Sequence, residues 1–125
     1  MNKRIIESAI EEAEKSVYDQ HRVGCIIFNK SKIISRGHNY ALKNRSRLNP
    51  IFQKWKGSIH AEVDAILNAK KNLKGCDLLV VRINRKNEFR MSMPCIECQK
   101  YIQHVCIRKV FYSVNVYPHI KELIL

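Results

Sequence analysis

The chain has 125 residues, of which 46% are apolar and 27% charged. That length supports one domain, residues 1–125, with a core of its own, and the composition excludes a wholly disordered chain. No apolar run approaches the ~20 residues of a membrane span, so no membrane contact is expected. The first residues, MNKRIIESAIEEAEKSVYDQ, lack a signal-peptide hydrophobic region, which points to a cytoplasmic protein. Five cysteines, an odd number, argue against a disulfide framework and towards ligands, buried thiols or catalysis.

The net charge of +12 points to anionic partners without naming them, and a merely basic surface would also account for it. Its distribution says more. Residues 1–20 hold three bases and five acids, whereas residues 21–58 hold nine bases and no acid. Residues 59–77 balance three against three, and residues 78–125 hold eight bases and three acids.

In chain order, Ile6, Ala9, Ile10, Ala13 and Val17 recur at helical spacing and predict an amphipathic helix over 4–18. Glu7, Glu11 and Glu14 fall on another face, with acids in the first turns suiting the helix dipole. Val23–Phe28 and Ile33–His38, separated by the polar turn 29–32, read as a β-hairpin. Residues 39–58 lack periodicity and read as a long loop, a length that often carries function.

Ser58 is placed to cap a helix over 60–72, ended by Gly75. Leu78–Ile83 begins as a continuous apolar run, which suits a strand covered on both faces. A turn and a brief extended stretch over 89–93 follow. Pro94 suits the first turn of a helix through His104, with Ile102 and Val105 inward. Lys109–Ser113 is a strand, and the tail from 114 reads equally as a short helix or a returning strand. This alternation predicts one mixed sheet covered by helices.

Two short pieces carry chemistry: His60-Ala61-Glu62, and Pro94-Cys95-Ile96-Glu97-Cys98. Cysteines spaced i, i+3 at a helix start present both sulfurs to one side, where the dipole favours thiolates. His60 would make a third zinc ligand and leave one position open, as catalytic zinc requires. Glu62, two residues on, could reach a bound water of lowered pKa without itself binding metal. A lone CxxC is as compatible with a structural zinc or a redox pair. The combination of H-x-E followed by P-C-x-x-C is the signature of zinc nucleobase deaminases.

On these motifs, and on the order of the elements around them, the chain resembles the cytidine/deoxycytidylate deaminase superfamily. The context Arg90-Met-Ser-Met-Pro-Cys95 looks most like small phage- or virus-type members, which act inside the host cell. The resemblance implies a three-layer α/β/α sandwich around a mixed sheet of about five strands. It implies zinc on His60, Cys95 and Cys98, with Glu62 shuttling protons for zinc-bound hydroxide. It further implies that Asn39 holds the sugar, the Ala61 backbone meets the base carbonyl, and the carbonyl of Ser92 or Met93 meets the amino group. Homo-oligomers are frequent in the family.

Met91-Ser92-Met93 stands where polynucleotide-editing cytidine deaminases carry Ser-Trp-Ser, and Met93 stands where tRNA adenosine deaminases have Glu. The expected activity is therefore hydrolytic conversion of cytosine to uracil in a free nucleoside or nucleotide, a (deoxy)cytidine monophosphate first. The alternative is a deaminase of cytosine or adenine in single-stranded DNA or RNA. It is favoured by the stretch containing Lys43, Arg45, Arg47, Lys54, Trp55 and Lys56, where bases interleave with aromatics as phosphates and stacked bases require. A third reading is a non-catalytic, zinc-stabilised nucleic-acid-binding module, against which Glu62 argues. Cys25, Cys76 and Cys106 are expected to be buried thiols. His38 could line the site or be structural, and His21, His104 and His119 carry no usable signal.

Overall fold

The structure, a computed structural model, describes residues 1–41 and 58–125. The first helix, α1 (Lys3–Glu14), starts at Asn2, whose side-chain oxygen accepts the Arg4 amide at 2.8 Å. It ends before Val17, which is 76% exposed, and has no acid in its first turn. Its buried face is Ile5, Ser8, Ala9, Glu12 and Ala13, so Ile6 and Ile10 lie at the margin rather than the centre of the apolar stripe.

The hairpin forms as expected from β1 (Arg22–Asn29) and β2 (Lys32–His38), with a register shift at Ile27/Phe28. The segment expected to be one loop over 39–58 is paired at both ends. Strand β3 (Tyr40–Ala41) lies antiparallel to β4 (Ser58–Ile59), so Ser58 belongs to a strand and not to a helix cap. Helix α2 (Ala61–Ala69) is shorter than expected, because Lys70 turns left-handed (φ 51°) and ends it five residues before Gly75.

Strand β5 (Asp77–Ile83) is central, and β6 (Phe89–Arg90) folds back on its end. Pro94 precedes Cys95, the N-cap of α3 (Ile96–His104), and so stands just outside the helix. Cys106 is exposed, unlike the buried Cys25 and Cys76. It follows α3 with φ 63°, in the turn that leads into β7 (Lys109–Ser113). The tail is a strand, β8 (Ile120–Leu123), returning antiparallel along β7.

The main sheet runs β2-β1-β5-β7-β8, with β6 paired to β5. Only β5 and β7 are parallel, and α3 supplies the crossover that a parallel pair needs. Alternation along the strands sorts the core into two layers. Ile26, Phe28, Leu79, Val81 and Ile83 pack with Ile5, Ala9 and Ala13 of α1. Cys25, Ile27, Leu78, Val80 and Val110 pack with Ala61 and Ala65 of α2 and Ile102 of α3. The result is the expected α/β/α sandwich around a mixed sheet of five strands in order, with the short β6 added beside β5.

Two glycines set how closely the helices approach the sheet. A Cβ on Gly24 would lie 2.3 Å from the Ala9 carbonyl oxygen, and one on Gly37 would lie 2.3 Å from the Ala65 nitrogen. Only a residue without a side chain lets α1 rest on β1 and α2 on β2 at this distance. Among the described residues, no helix is long and apolar enough to cross a membrane.

Candidate active site

Helices α2 and α3 both begin at one end of the sheet, and each begins with a residue that does not use its side chain as a cap. His60 (φ −80°, ψ 149°) precedes α2, and Cys95 (φ −66°, ψ 166°) precedes α3. Both side chains are thereby left to face each other. The His60 Nδ1 lies 3.8 Å from Cys95 Sγ and 3.5 Å from Cys98 Sγ. All three ligand atoms lie within 4.8 Å of one another.

A tetrahedral zinc with Zn–S of about 2.3 Å and Zn–N of about 2.0–2.1 Å separates nitrogen from sulfur by about 3.5 Å. The observed separations therefore fit that ion on these three residues. Cys98 is fully buried, Cys95 opens to solvent and His60 lies between these extremes, which supports the cluster from below and leaves one side accessible. The first turn of α3 adds to this, with the Cys98 amide hydrogen-bonding to Cys95 at the positive end of the helix dipole.

The thiols are electrostatically unequal. A hydrogen bond with Cys98 brings Cys95 down to about 4, with further help from His60. Cys98 is pushed far up, because it keeps the proton shared with Cys95, is buried, and faces the Glu62 carboxylate. Glu62 is only 5% exposed, and its burial raises its pKa above the ordinary glutamate value despite the opposing pull of His60. A carboxyl raised by desolvation is suited to exchange protons near neutrality.

A cavity of about 470 Å³ opens on this cluster and is bordered by His60, Glu62 and Cys95. The other residues implied by resemblance also reach it: Asn39, Ala61, Ser92 and Met93 all line the wall. Asn39 is held firmly. Its Oδ1 accepts the Val23 amide at 2.9 Å and its Nδ2 donates to the His21 carbonyl at 2.8 Å, tying the end of β2 to the start of β1.

Ser92 is likewise committed. Its hydroxyl donates to the Val80 carbonyl at 2.8 Å, and its amide donates to the Ser113 carbonyl at 3.0 Å. These bonds fix the stretch leading to Pro94 and Cys95 onto the sheet.

Lys43, Arg45, Arg47, Lys54, Trp55 and Lys56 lie outside the described residues. His38 does not border the cavity; its Nδ1 sits 2.7 Å from Glu12 Oε2 and its amide donates to Asp64 at 3.1 Å, so it is structural. The cavity also exposes three polar residues that the motifs did not mark, Tyr18, His21 and Arg82. Arg82 was legible only as an in/out position on β5, sharing the parity of Leu78 and Val80, whereas His21 and Tyr18 belong to a connection with no periodicity.

Residues 1–114 match the family model described as the cytidine and deoxycytidylate deaminase zinc-binding region. A curated protein of Aliivibrio fischeri, an uncharacterized deaminase in the luxG 3' region, is 30% identical over 93 residues, 72% of this chain and 56% of its own length. The chain thus spans little more than half of that relative. The dCMP deaminase of cyanophage S-TIM5 in its apo form superposes with a TM-score of 0.58 at 21% identity, over 91% of this chain and 86% of its own. A second crystal structure of that phage enzyme, in complex with dCMP and dUMP, gives 0.56 at 20% identity, over 91% and 84%. A Thermotoga maritima diaminohydroxyphosphoribosylaminopyrimidine deaminase/reductase gives 0.56 at 21% identity, over 92% of this chain but 30% of its own. At these identities the structural likeness bears on the fold, and the family follows from the model match across nearly the whole chain: the protein belongs to the cytidine and deoxycytidylate deaminase family.

Proposed function

We propose that the chain is a cytoplasmic, zinc-dependent hydrolytic deaminase that converts cytosine to uracil in a free nucleoside or nucleotide, with a (deoxy)cytidine monophosphate as the leading substrate. The observation that carries this reading is the convergence of His60, Cys95 and Cys98 at two helix starts, with the buried Glu62 beside them in one cavity. A purely structural zinc site has no use for a buried carboxylate at its open side, and it favours a fourth protein ligand.

Zinc held by His60, Cys95 and Cys98 would supply a Lewis acid that makes water nucleophilic near neutral pH. Glu62 accepts one proton of the water that attacks C4 and gives it to the ring nitrogen, then carries the second, from the new C4 hydroxyl, to the departing amine. Water in, ammonia out and a carbonyl left on the ring balance the reaction. The remaining amide hydrogen of Asn39 Nδ2 is free to meet the sugar, since only one of the two is committed to His21. The first-turn amide of Ala61 meets the base carbonyl, and the carbonyl of Ser92 or Met93 orients the amino group.

The strand-deaminase reading is favoured by one observation, the nine bases without an acid over residues 21–58. Ammonia release from a panel of cytosine and adenine nucleosides, their monophosphates and short single strands, across a salt series, separates the two. A free nucleotide offers few charges and a shallow salt response. A bound strand adds about 0.7 to the log–log salt slope for each phosphate neutralised. Efficient turnover of oligonucleotides with a steep slope, and little of the mononucleotide, would replace the first reading with the second.

A further inference from the structure

We propose that Arg82, flanked by His21, forms an anion-binding end of the cavity that takes a phosphate group of the substrate and so sets the preference for phosphorylated over unphosphorylated nucleosides. This rests on the deaminase reading above and adds to it a residue that sets specificity.

Placement comes first. Arg82 alternates with the α1-facing Val81 and Ile83 and shares the parity of Leu78 and Val80, whose side chains pack with α2 and α3. It therefore stands on the same side of the sheet as the ligand cluster, near the carboxyl end of β5, and borders the cavity with His60, Glu62 and Cys95. Its backbone is rigidly held, with its amide donating to the fully buried Ser113 hydroxyl at 3.0 Å and its Cα in register with Val23 and Arg90. A guanidinium mounted on a central strand is pre-positioned for a ligand.

Its unmet charge comes second. Arg22 donates to the Asn84 carbonyl, and Arg85, Arg90 and Arg108 pair with Asp19, Glu88 and Asp77. Arg82 forms no ion pair with any described carboxylate, and its Nε is buried without a hydrogen-bond partner. Residues 42–57, outside the described part, contain no Asp or Glu, so no counter-charge can come from there. The Arg22 Nε is orphaned in the same way, so it is the lack of a counter-charge on a guanidinium that borders the cavity that a ligand would relieve. Phosphate oxygens match its planar fork in pairs.

The neighbourhood agrees. His21 has its pKa lowered, first by burial and then by the positive charge of Arg82, which places the two side chains close together at one end of the cavity. Glu62 is the one carboxylate on the cavity wall among the described residues, and the mechanism already employs it. The same chemistry serves a 5′-phosphate of a free nucleotide or a phosphodiester of a strand.

The test uses the full-length, zinc-loaded protein. kcat/KM is measured for dCMP, deoxycytidine and a short cytosine-containing single strand with wild type, Arg82→Gln and Arg82→Lys. In parallel, the His21 ring resonances are followed by NMR while inorganic phosphate is titrated. Arg82→Gln should lose about 10–100-fold on the phosphorylated substrate and little on deoxycytidine, with Arg82→Lys between them. Loss on dCMP identifies a nucleotide phosphate, and loss confined to the oligonucleotide identifies a phosphodiester. Phosphate should shift His21 in wild type and not in Arg82→Gln, a result that sustains the anion site even where no cytosine compound is turned over. Equal losses on dCMP and deoxycytidine, or a wild-type His21 that ignores phosphate, overturn the proposal. If Arg82→Gln does not fold, Arg82→Lys and the wild-type titration decide.

Discussion

Replacing Gly37 with alanine probes how tightly the sheet holds the helix that carries His60 and Glu62. The new Cβ would lie 2.3 Å from the Ala65 nitrogen, 2.6 Å from the Ala61 carbonyl oxygen and 2.8 Å from the Ala65 Cα. All three are backbone atoms, so no rotamer change relieves the clash and α2 itself must withdraw. Extending the 2.3 Å contact to ordinary van der Waals separation takes about 1 Å of movement in a close-packed layer. Overpacking costs about 1–3 kcal/mol, and three simultaneous backbone contacts place Gly37→Ala at the upper end.

For a chain of this length, about 3 kcal/mol lowers the melting temperature by roughly 9–15 °C. The catalytic consequence is larger than the stability loss implies. One clashing atom belongs to Ala61, which sits between His60 and Glu62, and a displacement of about 1 Å at a reacting group costs about 10²-fold in rate. Melting followed by circular dichroism, with kcat/KM on the best substrate below the transition, measures both. A variant that melts within about 2 °C of wild type and keeps its turnover would refute the close approach of α2 to β2 and the reasoning built on it.

The zinc assignment predicts about one zinc per chain by elemental analysis, and loss of that zinc in a Cys95→Ala, Cys98→Ala double variant; retained metal would mean other ligands hold it. Glu62→Gln should keep its zinc and its melting profile while losing about 10²–10⁴-fold in kcat, and activity within a factor of a few would assign the proton transfers to another group. Burial alone would raise Glu12, but hydrogen bonds from His38 at 2.7 Å and Lys15 at 3.0 Å outweigh it and hold the carboxyl below its ordinary value. Its contribution is therefore complete above the ordinary glutamate pKa and is lost as pH falls through the lower folded value. Glu12→Gln should flatten the acid side of the stability curve, read from urea midpoints between about pH 3 and 7 with the facing groups His38, Lys15 and Cys25 unchanged, and identical slopes would remove Glu12 from the account.

The sequence by itself determined the layers and marked the residues of the candidate site. The alternation of Ile26 with Ile27 and of Leu79 with Val80 dictates a strand covered on both faces, and helical spacing on either side supplies the covers. H-x-E and P-C-x-x-C are local patterns whose meaning depends on side-chain type and short spacing, so both were readable before any fold was known. Element ends were less legible, since they depend on where tertiary contacts stop. Val17 continues the helical spacing but finds no neighbour to cover it, and Lys70 leaves the helix although its sequence does not demand it. The direction of the tail was undecidable locally, because its pairing with β7 is a long-range choice.

The tertiary structure alone decided which side chains share the cavity. His60 and Cys95 are 35 residues apart, and their approach to 3.8 Å depends on α2 and α3 starting at the same end of one sheet. Glu12 looked like another solvated acid of α1 until His38, on a different element, arrived within 2.7 Å of it. Arg82 looked like one more base in a chain of net charge +12, and only the absence of a folded counter-charge distinguishes it from Arg85, Arg90 and Arg108. Residue type and spacing define what a side chain can do, whereas burial and partners, which set its charge and its availability, exist only once distant segments have packed.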